Sequence, residues 1–214
     1  MDTTSGGFDS ATALAWVRMI AAAIERDADQ LTQLDSAIGD ADHGVNMQRG
    51  FAAVIAALDG RDFTTPGEVL VTAGTTLMST VGGAAGPLYG SAFRAAGKQL
   101  ATTTATADQL LDGLRSGAEA VQRLGAARPG DKTMIDAYLP AVDAFAKAVA
   151  VGHTLAETAA AAAAAAEDGM RATIPMIGRK GRASYLGPRG EGHQDPGATS
   201  LALVFRALAE AVRP

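Results

Sequence analysis

Asp35, Asp40 and Asp42 fall within eight residues of one another, on the glycine-containing segment Asp35-Ser-Ala-Ile-Gly-Asp-Ala-Asp-His-Gly-Val-Asn46. Carboxylates this close repel one another unless a cation sits between them. An all-oxygen donor set suits Mg²⁺ or Ca²⁺ and suits Zn²⁺ poorly. The segment is not an EF-hand: counting from Asp40, the sixth position is Val45 where glycine is required, and the twelfth is Phe51 where glutamate is required. Mg²⁺ takes few carboxylates and completes its shell with water and phosphate oxygens. The segment runs into a predicted helix, so backbone N–H groups near Gly44–Met47 and the helix dipole favour a phosphate there. The simpler alternative is that Asp35 ends one helix, Asn46 or Asp42 caps the next, and the remainder is a solvated turn. His43 alone reads more readily as a hydrogen-bonding turn residue than as a ligand.

Three other segments carry chemistry-bearing residues. Gly82-Gly83-Ala84-Ala85-Gly86-Pro87 removes side chains where a helix begins, so backbone can approach a ligand or a neighbouring helix. Gly125 to Thr133 nearly spells a phosphate-cradling P-loop, but Asp131 breaks the spacing and no strand precedes it. Asp131 is expected instead to cap a helix starting near Lys132, and Met134 reads as a core residue. The stretch 174–197 holds Arg179, Lys180, Arg182 and Arg189 among glycines and prolines. A loop of that length in a compact domain is usually functional or disordered. Its cations suit a lid that brings guanidinium charge onto a transferring phosphoryl group. Asp195-Pro196 can cap the last helix.

Helical periodicity supplies the frame. Trp16, Ile20, Ala23, Ile24, Leu31 and Leu34 share one face, as do Met47, Phe51, Val54, Ile55 and Leu58, and Leu201, Val204, Phe205, Leu208 and Val212. Thr65-Pro-Gly-Glu68, Thr106-x-x-Gln109 and Thr154-x-x-Glu157 are capping boxes. No stretch alternates convincingly with period two. The expected class is all-α, with about eight helices, no confident strand, and residues 1–214 forming one domain with no internal repeat.

Composition excludes several functions. The net charge of −5 argues against nucleic acid or an anionic membrane as the main partner. The absence of cysteine excludes disulfides and thiolate metal sites, and is compatible with a cytoplasmic location. Met1–Ser10 shows no targeting signal. The alanine tract 159–166 is flanked by acids and is far shorter than the roughly 20 residues that span a bilayer. It reads as a helix interior.

The string Leu34-Asp35 followed by Ile38 to Gly50 (IGDADHGVNMQRG) resembles the L subunit, DhaL, of dihydroxyacetone kinases. The resemblance continues, in the same order, through Ser79–Gly90 (STVGGAAGPLYG), Pro129–Asp136 (PGDKTMID) and Lys180–Ser200 (KGRASYLGPRGEGHQDPGATS). It implies a closed barrel of eight antiparallel helices, with ADP or ATP bound at one end through two Mg²⁺ ions and covered by a lid at about 175–197. It implies Asp35, Asp40 and Asp42 as metal ligands. Nucleotide contacts are implied for His43, Gly44, Val45, Asn46, Ala84, Ala85, Gly125, Met134, Arg182, Asp195, Pro196 and Gly197. Arg182 is implied as the cation that neutralises transition-state charge. Some relatives carry serine where this chain has Ala85. The resemblance further implies a ketose-holding K subunit as partner. The donor is either an ADP cofactor recharged by a histidine-phosphorylated M subunit or exchangeable ATP. A homodimer, the choice of ketose (dihydroxyacetone or erythrulose), a nucleotide-dependent regulatory module and a metal-dependent phosphohydrolase are left open.

Overall fold

The structure, a computed structural model, describes residues 7–213. The first six residues of the Met1–Ser10 start lie outside it. Eight α-helices are present among the described residues: α1 (Ser10–Ile38), α2 (His43–Leu58), α3 (Pro66–Thr80), α4 (Ala85–Lys98), α5 (Ala107–Gly125), α6 (Ile135–Ala150), α7 (Leu155–Ala172) and α8 (Pro196–Ala211). The expected class and helix number are therefore observed. The expectation of no strand needs one correction, because Phe8–Asp9 (β1) pairs antiparallel with Thr104–Ala105 (β2), with Phe8 opposite Ala105. Two residues per strand are too few for alternation to show in a sequence.

Local signals set most helix starts. Thr65, Thr106 and Thr154 each accept from the backbone N–H three residues on, while Glu68, Gln109 and Glu157 reach back. Each helix packs against the next in the chain, and α8 returns to α1. The apolar faces read from the sequence form the shared core: Trp16, Ile20, Ile24 and Leu31 of α1, Met47, Phe51 and Val54 of α2, and Leu201, Phe205 and Leu208 of α8 are all buried. The indole Nε1–H of Trp16 donates to Val204 O at 2.9 Å and ties α1 to α8. No helix is long and apolar enough to cross a membrane among the described residues.

Small residues let these helices approach closely. The alanine tract lies inside α7 and buries Ala159, Ala162, Ala163 and Ala166. A Cβ on Gly169 of α7 would fall 2.2 Å from Asp136 O of α6, and one on Gly74 of α3 would fall 2.6 Å from Gly90 O of α4. Four connections meet at one end of the molecule: α1–α2, α3–α4, α5–α6 and the long α7–α8 connection. The last is not wholly irregular, since short 3₁₀ turns occupy Arg182–Tyr185 and Gly187–Gly190.

Candidate functional site

The turn between α1 and α2 gathers the three aspartates. Asp35, only 6% exposed, sits in the last turn of α1. Its Oδ2 accepts from the backbone N–H of Asp42 at 2.8 Å and of His43 at 3.1 Å. The chain reaches this position through Ala41, whose φ of +62° is in the left-handed region. Asp35 thereby caps the start of α2 from across the turn. The alternative in which Asp42 or Asn46 caps α2 is not observed: Asp42 makes no side-chain cap bond, and Asn46 Oδ1 accepts from Arg49 Nη2 at 2.8 Å. The Asp42 carboxylate is left for another task. One carboxylate oxygen from each of Asp35, Asp40 and Asp42 lies within 4.8 Å of the others. A cation is drawn to this group even here, because Arg182 Nη2 of the long connection pairs with Asp40 Oδ2 at 2.6 Å. The all-carboxylate donor set and a positive group standing against it fit a hard divalent ion.

Beside the aspartates lies a cleft of about 170 Å³. Ala84 and Ala85 line one side with nothing larger than methyl groups, at the start of α4. Met134, just before α6, and Pro196–Gly197, at the start of α8, line another side. A Cβ on Gly197 would lie 3.6 Å from that of Met134, so the two face each other closely. Asp35 and His43 close the end beside the carboxylate cluster, and Arg182 comes over from the long connection. Met134 is thus both buried, as its sequence reading suggests, and at the cleft.

Asp195 caps α8 as expected, accepting from Ala198 N at 2.7 Å, while its own N–H donates to Thr173 Oγ1 at 3.0 Å. Burial pushes its carboxyl up to about 7, against the opposing effect of the Ala198 N–H. The native state therefore holds this proton where the unfolded chain, near the usual carboxylate range, has lost it. Stability falls as pH rises from about 4 to about 7, the window in which ν_N exceeds ν_U. Asp195→Asn keeps the cap acceptor and removes the titration. Its stability, measured by urea unfolding across that window, is expected to fall less with rising pH than that of the wild type. Parallel slopes would show that Asp195 ionises freely.

The Pro129–Asp136 segment departs from expectation. Asp131 does not cap a helix at Lys132: α6 begins at Ile135, and the Asp131 carboxylate accepts instead from Arg128 N at 2.8 Å. Asp136, in the first turn of α6, instead holds the turn before the helix, accepting from Gly130 N and, at 2.8 Å, from Thr133 N. Lys132 is buried, with φ at +61°.

His43 is joined to two residues with no sequence-assigned role. Its Nε2 lies 2.8 Å from Ser200 Oγ, which lies 2.7 Å from the Tyr89 hydroxyl. Burial pushes the His43 imidazole down, outweighing the neighbouring carboxylates of Asp35 and Asp42. Tyr89 and Ser200 stand inside the quoted motifs (GPLYG and DPGATS), which was the available signal.

Other expected contacts point elsewhere. Gly44 packs on α1, where a Cβ would fall 2.0 Å from Ala28 O. Val45 is exposed and lines a separate groove with Arg18 and Arg49. Asn46 is buried, with its amide about 3.5 Å from where a Gly82 Cβ would stand. Gly125 ends α5 beside Leu88, itself a cleft residue.

Residues 37–210 match the DAK2 domain. The chain belongs to the DAK2 family. It is 42% identical over 199 residues to the PEP-dependent dihydroxyacetone kinase, ADP-binding subunit DhaL, of Escherichia coli (strain K12), covering 92% of this chain and 95% of that one. It is 38% identical to the corresponding subunit of kinase 1 of Listeria innocua, covering 94% and 96%. The L-erythrulose 1-kinase of Mycolicibacterium smegmatis is 38% identical over 85% of this chain but only 32% of its own length. Among solved structures, the dihydroxyacetone kinase of C. freundii superposes with a TM-score of 0.70 at 27% identity, covering 92% of this chain and 34% of that one. Its complex with AMP-PNP and Mg²⁺ gives 0.67 at 29% identity. The chain thus spans nearly all of the DhaL subunits and about a third of the longer kinases. Within the DAK2 family it is a DhaL-type L subunit of the dihydroxyacetone kinases.

Proposed function

We propose that this chain is the nucleotide- and Mg²⁺-binding subunit of a dihydroxyacetone-type kinase. It passes a phosphoryl group from bound nucleotide to a short-chain ketose held on a separate K subunit. The observation that carries this reading is the gathering of three carboxylates at the mouth of a cleft, with Arg182 reaching them from the long connection between α7 and α8. The eight helices are read as a closed barrel with this cleft at one end and residues 175–197 as its lid. The chain acts as one domain in the cytoplasm.

Phosphoryl transfer needs little covalent help from a protein, so positioning and charge neutralisation dominate. Asp35, Asp40 and Asp42 would hold Mg²⁺, which would supply neutralisation of the phosphate oxygens. Asp35 also fixes the turn that presents the other two aspartates, through its bonds to the N–H groups of Asp42 and His43. The methyl-lined wall at Ala84–Ala85 and the Met134–Gly197 face receive the flat, apolar part of the ligand. The lid excludes water, and its Arg182 neutralises charge on the group in transfer. His43, held by Ser200, stands at the phosphate end.

ADP is read as a bound cofactor recharged by a histidine-phosphorylated M subunit. Support comes from the near-complete match to relatives named as PEP-dependent, ADP-binding subunits. The similarity to an erythrulose kinase favours a second reading, exchangeable ATP and a four-carbon ketose. Purified chain is expected to bind Mg²⁺-ADP in calorimetry and to leave free dihydroxyacetone unphosphorylated until its K subunit is added. Efficient turnover by the chain alone would overturn the division of labour. Activity of the assembled pair with ATP, and no phosphorelay, would decide for the second reading.

A further inference from the structure

We propose that Lys132 is a positioning residue that holds both feet of the connection between α7 and α8, and so sets where Arg182 stands over the aspartates. Lys132 is 1% exposed, and its ammonium is enclosed by backbone. It donates to Thr173 O at 2.8 Å and Met176 O at 3.0 Å on the first foot, and to His193 O on the second. Ile174 O lies further off at 3.5 Å. An ammonium has three N–H groups, so these partners use its full donor capacity. The contacts span 41 to 61 residues of sequence.

Neighbouring bonds show the same function. Gly192 N donates to Ile174 O at 2.8 Å, Asp195 N to Thr173 Oγ1 at 3.0 Å, and Arg179 N to Asp131 O at 3.0 Å. The left-handed φ at Lys132 is uncommon for a residue with a Cβ and persists where surroundings over-determine it. Between the feet the chain has only two 3₁₀ turns, and Arg182 opens the first. Of the bonds that fasten the feet, those of the Lys132 ammonium are the ones that reach both feet from a third element, so their loss loosens the distance from Arg182 to Asp40. Lys132 lines the cleft, but the bonds its ammonium donates go to backbone carbonyls of the connection and not to Asp35, Asp40 or Asp42. It acts through the loop.

The experiment is Lys132→Met in the full chain. Trypsin cutting at Arg179, Lys180, Arg182 and Arg189 in unliganded protein is expected to speed up about tenfold or more, because local opening governs access. With the K subunit added, kcat is expected to fall about 100-fold, while Mg²⁺-ADP affinity changes less than about tenfold. The loss is expected to vanish in an Arg182→Ala background, since two residues acting as one unit are not additive. Unchanged cleavage, or full additivity with Arg182→Ala, would overturn the proposal. The kinetic arm rests on the proposed function and the proteolysis arm does not, so each reading can fail separately. If Lys132→Met does not fold, the absence of cysteine gives a second route. Lys132→Cys is alkylated unfolded with bromoethylamine and refolded, which restores an ammonium at nearly the same reach. Recovery of protection from trypsin supports the clamp; its failure, with wild type surviving the same cycle, refutes it.

Discussion

Asp40→Asn is expected to abolish the thermal stabilisation that Mg²⁺-ADP gives this protein, together with phosphoryl transfer. A ligand at 100 times its Kd stabilises by about 2.7 kcal/mol, and a chain of this size gains about 2–4 °C per kcal/mol. A shift of roughly 5–10 °C should therefore be present in the wild type and absent in the variant. Asp40 is the cleanest of the three aspartates to change. Asp35 holds the turn through the Asp42 and His43 N–H groups, so its loss confounds metal binding with folding. Asp40 is partly exposed and pairs with Arg182, from which an amide oxygen can still accept. Differential scanning fluorimetry with and without Mg²⁺-ADP checks the expectation. A wild-type shift in Asp40→Asn would remove this carboxylate from the metal site.

Arg182→Ala is expected to lower single-turnover transfer to the ketose about 10³-fold, the lower end of what a transition-state arginine supplies. Mg²⁺-ADP affinity should stay within about tenfold of wild type, because the guanidinium matters most as charge develops on the transferring group. Arg182→Lys is expected to recover only part of the rate, since a point charge cannot reproduce a planar, forked donor. The Asp40–Arg182 pair is largely exposed and contributes little to folding. Urea unfolding of the unliganded variant should therefore be near wild type. A transfer rate within tenfold of wild type would assign the neutralising role to another group.

The frame was legible wherever the determinant is local. Three capping boxes, the Asp195 cap and the apolar faces of α1, α2 and α8 follow from spacings of three and four residues. The aspartate turn was legible as a cluster, but not its internal order. That Asp35 caps α2 from seven and eight residues away, leaving Asp42 uncommitted, depends on the left-handed step at Ala41. At Asp131 the local reading failed because Asp136 reaches back to the same turn and competes successfully for its N–H groups. Consecutive positions on a helix point about 100° apart, which is why Gly44 packs on α1 while Val45 faces outward. The links that complete the site, Tyr89 to Ser200 and Lys132 to His193, span 111 and 61 residues. No short-range pattern encodes them.

The bond from the Trp16 indole to Val204 also makes the molecule its own optical gauge. Trp16 is the sole tryptophan and is 2% exposed, so its emission reports on the seam between the first and last helices. Nineteen residues of α1 separate it from Asp35, about 29 Å along a straight helix. Emission should shift to the red when the bundle comes apart and stay silent when the distant end merely fills. Global unfolding can thus be followed by fluorescence in the same cuvette in which occupancy is varied, with no dye and no engineered label.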